Sequence, residues 1–73
     1  MFNDFVSVDT TPLYTSATGN DKRCHLLWGD GVKFNGPAGT GARRPVKARG
    51  GRSGFVKKAD LGGQSLLEYY FID

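Results

Sequence analysis

Apolar and polar positions alternate along this chain in short runs, each ended by glycine, proline, asparagine or aspartate. Phe5-Val6-Ser7-Val8-Asp9-Thr10-Thr11 is β-branched and alternating, and an extended backbone puts Val6 and Val8 on one face. Pro12 limits that ladder before Leu13-Tyr14-Thr15 resumes an extended apolar pattern, and Thr18-Gly19-Asn20-Asp21 is a turn cluster. His25-Leu26-Leu27-Trp28 predicts the next strand and Val32-Lys33-Phe34 the one after. Gly29-Asp30-Gly31 between them predicts a hairpin. Asn35 to Ala42 holds no large apolar side chain and reads as a flexible loop. Arg44-Pro45-Val46-Lys47-Ala48-Arg49 predicts a strand with Val46 and Ala48 inward and Lys47 and Arg49 outward. Gly50 to Gly54 turns the chain, Gly54-Phe55-Val56-Lys57-Lys58 predicts the fifth strand, and Ala59-Asp60-Leu61 suits one 3₁₀ turn. The last segment, Leu66 to Ile72, is apolar on both faces, with Leu67, Tyr69 and Phe71 on one and Leu66, Tyr70 and Ile72 on the other.

No apolar pattern of helical period runs beyond two turns. Five or six short strands in this length imply an all-β fold, a small closed or nearly closed antiparallel barrel, since closure removes edges that would otherwise pair with other chains. Composition agrees. Glycine makes up 11 of the 73 residues, and each glycine inside a helix would cost about 1 kcal/mol relative to alanine. A domain of this size buries only about 60% of the surface of its unfolded chain, so the core is thin.

The single cysteine, Cys24, cannot form a disulfide within the chain and fits a reducing compartment. It reads as a small buried apolar residue; Arg23 and His25 beside it leave a reactive thiol as the alternative. The N-terminal Met1-Phe2-Asn3-Asp4-Phe5 has no basic region followed by an apolar run. No stretch approaches the roughly 18 apolar residues that span a bilayer. A soluble, cytoplasmic setting with no membrane partner is the expectation.

Candidate chemistry is sparse. One histidine and one cysteine, adjacent in sequence, do not supply the three or four ligands of a zinc site, and the carboxylates form no calcium loop. No metal, no cofactor and no catalytic residue is expected. His25 beside Leu26 and Leu27 reads as a structural histidine. Gly36-Pro37-Ala38-Gly39-Thr40-Gly41 superficially resembles a phosphate loop but lacks the Gly-Lys-Ser/Thr ending and a following helix.

Charge is the strongest functional signal. The net charge is +3, but between Gly31 and Ala59 there are eight basic residues and no acidic one: Lys33, Arg43, Arg44, Lys47, Arg49, Arg52, Lys57 and Lys58. Adjacent fourth and fifth strands would bring Lys47, Arg49 and Lys57 to nearby outward positions. Arg43, Arg44, Lys47, Arg49, Arg52, Lys57 and Lys58 are the candidates for binding nucleic acid or another polyanion. A solvated face, or docking on an acidic neighbouring domain, is the other account of the same charges. The aromatic residues exceed what so small a core can bury.

The run Arg49-Gly50-Gly51-Arg52-Ser53-Gly54-Phe55-Val56-Lys57-Lys58-Ala59-Asp60-Leu61 resembles the closing hairpin of bacterial SH3-like domains, with Phe55 where that family usually has tryptophan. Pro12-Leu13-Tyr14 and Gly29 to Phe34 are similar to its opening and central segments. The resemblance implies an SH3-like barrel over residues 1–61, with a shallow aromatic groove for peptides; Tyr14, Trp28 and Phe55 are the groove candidates. Leu66-Leu67-Glu68-Tyr69-Tyr70-Phe71-Ile72-Asp73 resembles the first strand of metallo-β-lactamase-fold hydrolases of the competence-protein type. This likeness implies that residues 62–65 are a linker and residues 66–73 begin a following domain, the alternative being a last barrel strand. The module would then be a non-catalytic accessory to an adjacent metal-dependent hydrolase domain, binding or positioning. The runner-up is a small basic nucleic-acid-binding β-barrel. The two apolar faces of residues 66–72 also imply a weak homodimer through that segment.

Overall fold

Alternation and turn chemistry produce six strands in the structure, a computed structural model that describes residues 2–62. They are β1 (Asp4–Phe5), β2 (Thr10–Tyr14), β3 (Lys22–Leu27), β4 (Gly31–Phe34), β5 (Arg43–Ala48) and β6 (Ser53–Lys57). Two 3₁₀ turns, Arg49–Gly51 and Lys58–Asp60, complete the elements. All six strands lie in one antiparallel sheet of order β1-β4-β5-β6-β2-β3.

One face of the sheet carries the core. Val6, Leu13, Leu26, Val32, Val46, Ala48 and Val56 form a single buried cluster, with Val8, Cys24 and Leu61 packed at its margin. The inward set follows the strand period: Val32 lies opposite Ala48, and Val46 opposite Gly54. Thr11 is the one buried polar side chain among the described residues, and its hydroxyl donates to Asp60 Oδ2 at 2.6 Å. That bond, with the Ser7 N–H donating to Asp60 O at 2.8 Å, fastens the Lys58–Asp60 turn over the junction of β1 and β2.

The sheet is not closed, because the edge strands β1 and β3 do not pair. Single contacts tie the ends together instead. Val6 bridges Leu61, the Gly62 N–H donates to Phe5 O, and the Gly29 N–H, just after β3, donates to Val6 O, just after β1.

The expected hairpin across Gly29-Asp30-Gly31 is corrected. The turn forms: the Asp30 N–H donates to Leu27 O, the Leu27 N–H donates to Asp30 Oδ2, and Gly29 has φ +85°. Yet β3 and β4 do not pair. Val6 lies between them, accepting from Gly29 N–H and donating to Asp30 O, so β4 runs to β1 and β5 while β3 stays with β2. The first segment is also divided, into β1 and β2, with Pro12 inside β2 opposite His25. The tail from Leu66 to Asp73, and most of the linker assigned to 62–65, lie outside the described residues.

Candidate nucleic-acid interface

The second face of the β4-β5-β6 meander is built from the odd-numbered positions. Lys33, Lys47 and Ser53 form one row across the three strands. Two residues further along, Pro45, Phe55 and Tyr14 form a second row that reaches β2. Arg43 and Lys57 form a third. The face is thus an apolar, aromatic stripe between two cationic rows. With strands rising about 3.4 Å per residue, each cationic row lies roughly 7 Å from the stripe.

Both outer rows place like charges directly opposite one another, Lys33 against Lys47 and Arg43 against Lys57. Such a pair destabilises a sheet where both charges stay in the row, as at Lys33–Lys47, with which no carboxylate pairs among the described residues; the Arg43 guanidinium instead leaves its row. At the Lys33–Lys47 end, Arg49 follows β5 in a tight turn closed by the Ala48 N–H donating to Arg52 O at 2.7 Å. Gly50 and Gly51 take φ of 85° and 83° there, backbone open to glycine. Phe2, Lys33, Lys47, Arg49 and the two glycines line an open hollow at this corner. Arg49 and Arg52 border a second hollow with Cys24, His25 and Asp30.

The seven basic candidates separate into two groups. Arg43, Arg44 and Lys58 hold the protein together. The Arg43 guanidinium crosses β6, lies 3.4 Å from the Tyr14 ring centroid, and donates to Ser16 O and Gly19 O. Arg44 is on the inward face at its rim, 3.6 Å over the Phe34 ring. Lys58 Nζ donates to Gly39 O at 2.8 Å, which ties the 35–42 loop to the second 3₁₀ turn. Lys47, Arg49, Arg52 and Lys57 are exposed. The expected grouping of Lys47, Arg49 and Lys57 is corrected: Lys47 and Arg49 share one end of the β5-β6 hairpin, and Lys57 is at the other, beside Arg43. Lys33, in the basic stretch but outside the seven candidates, joins the exposed cations. Its signal was the Val32-Lys33-Phe34 alternation, which turns it outward onto Lys47's row.

The aromatic groove candidates separate too. Tyr14 and Phe55 are register partners. Trp28 sits in the β3–β4 turn next to the opposite end of β2, where Thr10 faces Leu27, so the three rings do not form one groove. His25 is exposed, and Cys24 is half-buried against the core. Among the described residues no group of three or more His, Cys, Asp or Glu is placed to hold a metal ion, and no helix is long and apolar enough to cross a membrane. Comparison with protein-family models, curated proteins and solved structures finds no match.

Proposed function

We propose that this chain is a non-catalytic module that binds nucleic acid through its phosphates. The observation that carries the reading is the set of exposed cations at both ends of one face of the meander, the directly opposed Lys33–Lys47 pair at one end and Lys57 at the other. Lys33 and Lys47 held side by side at a cost in stability, with Lys57 exposed beyond the aromatic stripe, suit an anionic ligand with charges repeated along a chain. Binding should be strongly salt-dependent, because each contacted phosphate releases counterions. Three contacts, from Lys33, Lys47 and Lys57, predict a slope of log affinity on log salt of roughly −2 to −3, taking roughly −0.7 to −0.9 per phosphate. Anisotropy titrations with labelled oligonucleotides test this, and the double variant Lys33→Glu, Lys47→Glu should abolish most of the affinity. No binding at about 50 mM salt, where screening is weak, overturns the reading.

A second reading keeps the module as an SH3-like accessory of a metallo-β-lactamase-fold hydrolase. It is supported by the two sequence resemblances and by apolar surface at the β3–β4 turn, where Leu27 is 61% and Trp28 44% exposed. Such surface suits a neighbouring domain or a peptide. The coding sequence beyond Asp73 tests it: a Gly-Gln-Gly-Asp turn followed by a His-x-His-x-Asp-His segment supports the hydrolase parent, and another sequence removes it.

A further inference from the structure

We infer that the nucleic acid bound on this face is single-stranded, with a base stacked on Phe55; the inference rests on the nucleic-acid reading above and narrows its ligand. Phe55 lies on a central strand, half-buried, in the middle of the outward face. Pro45 and Tyr14 flank it across the sheet, and the cationic rows lie two residues away on either side along the strands. Tyr14 is not the platform, because it is 7% exposed and the Arg43 guanidinium already lies over its ring. Among the described residues no ring or guanidinium is stacked on Phe55.

A duplex keeps its bases paired and stacked inside, and would meet this face with phosphates alone. Readout of a duplex needs an element that enters a groove, normally a helix or a free two-stranded ribbon. The described residues include no α-helix. The β5-β6 hairpin is no free ribbon either, since β4 and β2 pair along its sides. A single strand differs in that its bases can turn out to stack on an aromatic side chain while basic side chains follow its backbone. Aromatic ring in the centre and cations on both sides is the arrangement that such a ligand requires. Sequence preference should be slight, because every base has a π-face and no polar side chain of the stripe reads a base edge.

The test uses the full chain and labelled oligothymidine of about 12 nucleotides, within the range of single-strand site sizes, against a mixed-sequence duplex of equal length. The variants are Phe55→Leu, Phe55→Tyr and Phe55→Ala, each checked for folding by its thermal transition. Leucine keeps apolar volume and lacks a π-face, so it remains informative if alanine does not fold. The single strand should bind at least about tenfold tighter than the duplex. Phe55→Leu should lose about five-fold or more of that affinity, in keeping with the value of one stacked base, with an unchanged salt slope. Phe55→Tyr should retain it. Equal binding of single strand and duplex, or equal affinity of the leucine and tyrosine variants, overturns the stacking inference and leaves phosphate binding standing. No binding of either nucleic acid overturns both.

Discussion

At Gly54 the chain has no room for a β-carbon. One built there would lie 2.6 Å from Tyr14 O and 2.7 Å from Leu13 Cγ, since Leu13 fills the space above β6 that a side chain opposite Val46 would take. Gly54→Ala must therefore displace a fully buried leucine or part β2 from β6. It should cost roughly 1–3 kcal/mol, as overpacking does, read as a lowered urea midpoint with an unchanged m-value. Gly50→Ala meets nothing within 4 Å but carries a φ of +85°. It should cost about 1–2 kcal/mol through backbone conformation alone. The sequence shows both glycines as turn or strand-start residues. That the two are required for different reasons is not legible there, because Leu13 is far from Gly54 along the chain. The Thr11–Asp60 hydrogen bond is hidden in the same way: both residues looked like ordinary strand and turn positions until packing brought them together.

At the scale of elements, the β4-β5 ladder holds a trade between stability and binding. Lys33 and Lys47 face each other at an exposed register position, and repulsion between directly opposed cations weakens the ladder. Replacing both with threonine, a good strand former, should raise stability by about 0.2–1 kcal/mol while weakening nucleic-acid binding and flattening its salt slope. A double variant that is both less stable and equally tight in binding would show the pair to be structural. Alternation places β4, β5 and β6 within a residue and the adjacency of β5 and β6 follows from it, whereas the division of the first segment into β1 and β2 and the start of β3 at Lys22 do not. Partner choice for β3 was not local. Gly29-Asp30 fixes a tight turn, but whether two strands leave it as a hairpin depends on what the rest of the chain inserts, and here Val6 takes the hydrogen bonds. Outward placement of the cations was legible for the same reason as the strands. Their division between the two ends of the hairpin was not, because it depends on the register Arg43↔Lys57 and Lys47↔Ser53, which the three-residue turn at Arg49–Gly51 sets.

Across the whole molecule, the buried cluster of the described residues runs from Val6 to Leu61, and the Gly62 N–H still donates to Phe5 O. A chain ended after Gly63 retains each of these contacts and should unfold in one cooperative transition. The segment from Leu66 to Ile72 has apolar side chains at both alternating sets of positions, and each large apolar side chain left in water forgoes roughly 1.5–3 kcal/mol of burial. Two or three together suffice for weak self-association of the full chain, and apolar strands with unpaired edges associate readily. Sedimentation of both chains over a range of concentrations separates the alternatives. The full chain should show a concentration-dependent dimer, and the chain ended after Gly63 should remain a folded monomer. If the shortened chain loses its cooperative transition, residues 66–72 belong to the same folding unit as the sheet, and the boundary placed at 62–65 falls. If both chains are folded and monomeric at every concentration, the boundary stands and the apolar segment does not drive association.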